Sequence, residues 1–266
     1  MNKDLSIIIT LYKTPPDKLR LLKQYKNFNV LIFDQGSSNN KKTISNILKK
    51  KFRYFHSKKN IGLPKATNFL ISKVKTKYFL FTQADITIDK KSIKYLLNEI
   101  KKNKNIIFAG PNFKPSEKLL KKTIQKKNLN AACMICDTAK VRKIKFFDED
   151  YFLYWNDEDL MERVKKSPYK MIQVSKAKAV HESSKSSVEN FRVKFLRSKH
   201  FKLGELLFDY KFNKLRIVKI FRQIIQSFVK LTFFTLLFNK EKIVANLGYL
   251  VGILNFLVFY IKKILQ

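Results

Sequence analysis

From Leu5 to Ala109 the chain alternates short apolar runs with stretches whose apolar residues recur at helical spacing. Leu5 to Leu11 (LSIIITL) is a continuous apolar run, the pattern of a strand buried on both faces. Pro15-Pro16-Asp17 opens a helix carrying Leu19, Leu22 and Tyr25. Val30 to Phe33 is a second strand that stops at Asp34, followed by the turn-forming Gln35-Gly36-Ser37-Ser38-Asn39. A helix with Ile44, Ile47 and Leu48, a strand from Arg53 to His56, and a helix entered through Asn60-Ile61-Gly62-Leu63-Pro64 come next. Tyr78 to Thr82 (YFLFT) is another buried strand, ending at Gln83-Ala84-Asp85, and a helix from Ser92 to Lys101 leads to the apolar Ile106 to Ala109. Repeated strand-helix-strand units predict an α/β fold with a mostly parallel sheet flanked by helices. Such sheets bind ligands at the carboxyl ends of their strands, where Asp34 and Asp85 fall.

Beyond Pro111 the pattern changes. Residues 111 to 130 are polar and lysine-rich, predicting a loop with one helix, and Ala131 to Cys136 is strand-like again. Phe146 to Tyr154 interleaves aromatics with acids, and Asn156 begins a helix reaching about Lys166. Met171 to Val174 and Ala177 to Val180 read as two short strands, the second ending at His181. After about Ser187 only helical spacing remains, so the expected division is a catalytic α/β domain over 1–187 and a helical region over 188–266. In the latter, Ile217, Ile220, Phe221, Ile224, Phe228 and Leu231 recur at helical spacing among Lys219, Arg222 and Lys230, a basic amphipathic helix. Ile243 to Ile261 is a run of 19 uncharged residues between lysines. As a helix it is roughly 28 Å long, against a hydrocarbon core of about 30 Å. Asn246 and Asn255 weaken its hydropathy and favour docking at a membrane surface or a shallow hairpin over a true span, with a soluble helical extension packed on the catalytic domain or a dimer partner as the alternative.

Charge narrows the partners. The 266 residues carry 56 Lys+Arg against 20 Asp+Glu, a formal charge of +36, while 45% hydrophobic and 14% aromatic residues supply a core and exclude a disordered polycation. The anionic partner is nucleic acid, an anionic membrane leaflet or a phosphorylated substrate. The two cysteines, Cys133 and Cys136, exclude a disulfide framework. With no second cysteine pair, their CxxC reads as core packing in an apolar strand rather than a redox pair or half a zinc site. The N-terminus lacks the pattern of a secretory signal, so a cytosolic, reducing location is expected.

The acids mark the chemistry. Asp148, Glu149, Asp150, Asp157, Glu158, Asp159 and Glu162 fall in one short segment of a chain that otherwise avoids acids. Asn156 followed by three acids makes a good helix start, because carboxylates complement the positive end of the helix dipole. The aromatic approach Phe147 to Trp155 is also what a saccharide site uses, since a sugar's apolar face packs on a ring while its hydroxyls bond carboxylates. Trp155 and Asp159 are therefore candidates for acceptor contact, and a carboxylate there can take a hydroxyl proton. Asp85 alone fits a turn or a helix cap as well as a hard-oxygen ligand for a divalent cation on a diphosphate. His181 ends an apolar strand and precedes Glu182-Ser183-Ser184-Lys185-Ser186-Ser187, a composition suited to phosphates.

Taken in order, IIITLYKT, FDQGSS, NIGLPKATN, FLFTQAD, AACMI, FFDEDYFLYWNDEDL and AVHESS resemble glycosyltransferase family 2, particularly its bacterial rhamnosyl- and galactofuranosyltransferase-like branch, over about residues 5 to 187. The resemblance implies a GT-A fold and inverting transfer from a nucleoside-diphosphate sugar. Carried over by position, Thr10, Tyr12 and Asp34 line the nucleoside pocket, and Asn60, Gly62 and Asn68 form the loop and helix under the donor. Asp85 is the last carboxylate of the metal-binding Asp-x-Asp, His181 joins it on Mg²⁺ or Mn²⁺, and Asp157 is the catalytic base. Two departures stand out: Gln83 replaces the first Asp of Asp-x-Asp, and Thr67 stands where many relatives have Arg, leaving Lys65 or Lys185 for the phosphates.

The expectation is therefore a metal-dependent hexosyl- or deoxyhexosyltransferase at the cytoplasmic face of a bacterial membrane. It would use a UDP- or dTDP-sugar and act on a lipid-linked or polysaccharide acceptor in cell-surface glycan synthesis. An anionic membrane surface is a partner, nucleic acid is not, and self-association stays open. The rivals are a basic nucleic-acid-binding protein, disfavoured because the aromatics cluster with acids, and a non-catalytic membrane-bound scaffold, for which Gln83 is the hint.

Overall fold

The computed structural model describes residues 4–36, 39–49, 52–113, 123–182 and 190–265. The chain forms two compact units, one of Met1–Asp148 with Asp157–Val188 and one of Glu149–Asn156 with Glu189–Gln266.

The first unit is built on a nine-stranded sheet. Its strands are β1 (Leu5–Tyr12), β2 (Asn29–Gln35), β3 (Arg53–Ser57), β4 (Tyr78–Thr82), β5 (Ile86–Ile88), β6 (Ile106–Asn112), β7 (Ile124–Lys126), β8 (Cys133–Asp137) and β9 (Lys170–His181). The order is β3-β2-β1-β4-β8-β6-β9-β5, with β7 on β9. β1 pairs in parallel with β2 and β4, as do β2 with β3 and β6 with β9; β8 runs antiparallel to β4 and β6, and β9 to β5 and β7. The α/β class expected from the sequence holds, with a mixed sheet rather than a mostly parallel one. The two strands read at 171–174 and 177–180 are one. A register shift between Pro111 and Asn112 absorbs the interruption at Ser175 and Lys176 as an irregularity in β9. Part of the 111–130 stretch is strand, since β6 runs to Asn112 and β7 follows; its middle lies outside the described residues.

Period-2 alternation puts Ile7, Ile9, Leu11 and Leu80 into one core and Ile8, Phe79 and Phe81 into the other. Helices α1 (Pro16–Leu21), α2 (Lys41–Leu48) and α4 (Lys90–Lys102) cover the first face through Leu19, Ile44, Leu48, Ile93, Leu96 and Ile100. Helices α3 (Leu63–Lys73), α5 (Thr138–Ile144) and α6 (Asn156–Lys165) cover the second through Leu70, Val141 and Leu160. Burying a side chain the size of Phe79 or Phe81 contributes about 1.5–3 kcal/mol. Cys133 lies in the first core and Cys136 in the second, because residues three apart on a strand point to opposite faces. Both are free and fully buried, and burial pushes the Cys133 thiol up to about 12.

The second unit contains helices α7 (Phe191–Lys211), α8 (Ile217–Leu236) and α9 (Lys240–Ile264) around Leu206, Leu207, Ile220, Ile253 and Phe256. Residues 149–156 belong to this unit, although the expected boundary placed everything before 188 in the catalytic domain. The reason is aromatic packing. Phe152 stacks on His200 at 4.1 Å and Tyr154 meets Phe201 edge-on at 5.7 Å. Burial, then the charge of Lys199, lowers the His200 pKa to about 4, so the stacked ring is neutral.

Candidate functional site

The carboxyl ends of β1, β2 and β4 carry the first cluster. β1 and β2 run in register, with Thr10 opposite Phe33, Leu11 opposite Asp34 and Tyr12 opposite Gln35. Asp34 is fully buried. One of its oxygens, Oδ2, accepts from the Tyr54 hydroxyl at 2.6 Å, the Asn40 amide N–H at 3.1 Å and Asn40 Nδ2 at 3.0 Å. Its other oxygen, Oδ1, is buried with no hydrogen-bond partner among the described residues. A buried carboxylate oxygen left without a donor is costly, so Asp34 is a fixed acceptor awaiting one. Partial burial, then the Asp34 carboxylate, holds the Tyr54 hydroxyl well above its ordinary pKa and keeps it a donor. Thr10 and Tyr12 are half-buried at the end of β1, and the Tyr12 ring lies 3.3 Å from where a Cβ on Gly36 would sit.

The loop after β3 is organised by its own polar groups. Asn60 Oδ1 accepts the Gly62 N–H at 3.0 Å, and Gln35 Oε1 accepts the Ile61 N–H at 2.9 Å. Gly62 has φ 89° and caps α3, a left-handed position that favours glycine before Pro64 in the first turn. Asn68 carries a backbone contact that the sequence did not announce. Its Nδ2 donates to the Phe147 carbonyl at 2.8 Å and its Oδ1 accepts the Phe147 N–H at 3.2 Å, so both ends of the amide hold the segment leading to α6.

The second cluster brings together the two residues expected to hold a metal. Asp85 follows β4 and is 1% exposed, and both of its carboxylate oxygens lack a hydrogen-bond partner among the described residues. His181 Nε2 stands 3.7 Å from Asp85 Oδ1. Their meeting is fixed by the backbone: β5 and β9 pair Ile86 with His181, and the Glu182 N–H donates to the Asp85 carbonyl at 3.1 Å. Glu182 is tied in turn to Lys18 Nζ at 2.6 Å. An imidazole nitrogen facing an orphaned hard carboxylate fits one edge of a divalent-cation site. Among the described residues no group of three His, Cys, Asp or Glu completes a protein-only cage. Lys185 lies outside the described residues.

The acidic segment divides in the structure. Asp157 is half-buried in the first turn of α6. Its neighbour Glu158, not singled out by the sequence, is pushed up to about 8 by desolvation, then by its hydrogen bond with Asp157 and that residue's charge. Glu158, exposed as a residue, therefore holds its proton near neutrality beside Asp157. Asp159 is not an open acceptor contact. It is 2% exposed and its Oδ2 accepts from Arg163 Nε at 2.7 Å. The same guanidinium donates to the carbonyls of Ile144, Lys145 and Phe146, so the pair secures the turn after α5. Trp155 is likewise engaged in packing. It belongs to the helical unit, where its ring packs on Phe201 at 5.8 Å and Phe208 at 5.4 Å, with Gly204 beneath it.

A mixed α/β sheet flanked by helices, with acidic side chains at the carboxyl ends of its strands, is the fold of GT-A glycosyltransferases. The comparisons agree: the profile described as Glycosyl transferase family 2 matches residues 6–161, and the chain belongs to that family. An uncharacterized glycosyltransferase of Rickettsia felis is 36% identical over 95 residues, which are 35% of this chain and 15% of that protein. One of Rickettsia conorii is 34% identical over 116 residues, 41% and 19% of the respective lengths, so the match spans under a fifth of these relatives. Among solved structures, S. aureus TarS 1-349 aligns over 93% of this chain and 90% of its own with TM-score 0.56 and 14% identity. The mannosyltransferase PcManGT from Pyrobaculum calidifontis, solved with GDP-Man and Mn2+, aligns over 97% and 75% with TM-score 0.59 and 11% identity. At these identities the structures speak to the fold alone.

Proposed function

We propose that the protein transfers a hexosyl or deoxyhexosyl group, with inversion, from a nucleoside-diphosphate sugar to a lipid-linked or polysaccharide acceptor in bacterial cell-surface glycan synthesis. The observation that carries this reading is Asp85, whose two oxygens are buried without a hydrogen-bond partner among the described residues and whose Oδ1 faces His181, in a glycosyl transferase family 2 chain. Asp34, clamped through one oxygen, offers the other to an N–H of the nucleoside base beside Thr10 and Tyr12; a UDP or dTDP donor suits such an acceptor. Mg²⁺ or Mn²⁺, held by Asp85 and His181, would supply positive charge to the diphosphate leaving group.

Asp157 takes the proton of the acceptor hydroxyl as its oxygen bonds to the anomeric carbon from the side opposite the diphosphate. The bond between that carbon and the diphosphate oxygen breaks, and the nucleoside diphosphate leaves with the electron pair. Glu158, by keeping its own proton, can donate a hydrogen bond to Asp157. Arg163 holds the carbonyls of residues 144–146 and Asn68 the Phe147 backbone, where the segment leading into α6 begins, and both act as positioning residues.

The test is Asp157→Asn. Sugar transfer to an acceptor extract should fall by about 10²-fold or more, while UDP, dTDP or GDP affinity, read by calorimetry, stays within about twofold of the unchanged protein. Retained turnover overturns the role of Asp157. GDP is included because PcManGT carries GDP-Man.

A further inference from the structure

We infer that α8 is an in-plane docking helix for one leaflet of an anionic bilayer, and that α9 stays packed on α7 instead of crossing the membrane. This goes beyond the transfer reaction and does not depend on it.

α8 leaves its apolar side uncovered. Phe221 is 64% exposed, Phe228 57% and Leu236 73%, and Ile217, Ile225 and Val229 are exposed beside them. At about 100° per residue these positions fall within roughly one third of the helix circumference. The buried Ile220 and Ser227 lie on the opposite side, against the rest of the unit. A soluble surface helix shows polar residues there; a contiguous apolar stripe marks a surface that is covered in use.

Charge selects the cover. The exposed Arg216, Arg222, Lys230, Lys262 and Lys263 have no ion-pair partner among the described residues. The carboxylates of the same unit are engaged: Asp150 by Lys211, Glu205 by Lys202 and Lys219, Asp209 by Lys219, and Glu241 by Lys194. The spare charge of the unit is therefore positive, and Arg222 borders the stripe by helical spacing. A second copy of the chain would bring like charges together, whereas anionic headgroups over an apolar interior match both the stripe and the unit's spare positive charge.

α9 is long and apolar enough to cross a membrane, with a mean hydropathy of 1.9 in its most apolar window. Its seam with α7 argues for another mode. A Cβ on Gly248 would sit 2.7 Å from the Phe195 carbonyl oxygen, and one on Gly252 would sit 2.5 Å from that of Lys199. Backbones this close form one packed pair, and α7 carries Arg192, Lys194, Arg197, Lys199 and Lys202. Sending α9 through the hydrocarbon would either carry those cations with it or break the seam.

The experiment is flotation of the full chain with vesicles of phosphatidylcholine alone and of an equimolar phosphatidylcholine and phosphatidylglycerol mixture, with the double variant Phe221→Ser/Phe228→Ser in parallel. Both side chains are exposed, so the variant should keep its circular dichroism spectrum and sedimentation coefficient. The unchanged protein should float with the anionic vesicles only and leave them in high salt or alkaline carbonate. The variant should bind at least about tenfold more weakly. Retention through alkaline carbonate overturns docking in favour of crossing. Equal flotation of protein and variant overturns the assignment of the stripe, as does a dimer that the variant splits without loss of vesicle binding.

Discussion

Replacing Arg163 by Ala tests whether the acidic segment is divided between chemistry and structure as described. The guanidinium bonds a carboxylate whose side chain is 3% exposed and also serves three backbone carbonyls. Its loss leaves Asp159 buried without that counter-charge, a change that costs about 3–5 kcal/mol when one partner of a buried pair is removed. Arg163 is itself 26% exposed, so water can reach the gap, and the lower end, about 3 kcal/mol, applies. For a unit of this size that lowers the melting temperature by about 6–12 °C. Asp159→Asn, which keeps an acceptor for Arg163, should cost less, and the double variant should fall short of the sum of the two single losses. The assay is thermal unfolding by circular dichroism, with turnover measured well below the transition. Arg163→Ala melting within about 1 kcal/mol of the unchanged protein, together with Asp159→Asn raising KM for the acceptor alone, would refute the structural role.

Two further outcomes follow from the ionisable groups. Glu158 has a pKa raised from 4.5 to about 8, so the folded state holds a proton that the unfolded state has released between those values. Its contribution to stability is present below about 4.5 and is lost as pH rises through about 8. Melting curves of the unchanged protein and of Glu158→Gln should therefore diverge as pH rises across that window, the variant becoming relatively more stable; parallel curves would remove the proton from Glu158. Cys133 and Cys136, buried on opposite faces of β8, should resist alkylation in the native protein and react only on unfolding, without effect of reductant on turnover. Rapid native labelling at either position would contradict their place in the core.

Much of the sheet was legible because β1, β2 and β4 are buried on both faces and their apolar runs are uninterrupted. Strand direction was not, since an apolar run such as AACMI reads the same parallel or antiparallel. Asp85 and His181 were paired by resemblance, and the register of Ile86 with His181 is the physical reason they meet. Glu158 could have been suspected from its adjacency to Asp157, but which of two neighbouring acids keeps its proton depends on burial. Asn68, Asp159 and Trp155 carry structural contacts that the sequence did not announce, for one reason. Their partners, the Phe147 backbone, Arg163 with its three carbonyls, and the α7 aromatics, are set by tertiary packing that the local pattern does not encode. The acids and aromatics of residues 147 to 159 looked like one saccharide surface, whereas residues 149–156 pack with the helical unit. The net charge of +36 acquires a sharper meaning in the unpaired Arg and Lys residues around α8.

The most direct measurement is a calorimetric titration of UDP, dTDP and GDP into the unchanged protein, Asp85→Asn and His181→Ala, each with and without Mn²⁺. One nucleotide should bind the unchanged protein at least about tenfold more tightly with the ion present, and either substitution should abolish that gain while leaving the ion-free affinity near its original value. Equal enhancement by Mn²⁺ in all three proteins would contradict the assignment of Asp85 and His181 as the cation-binding pair.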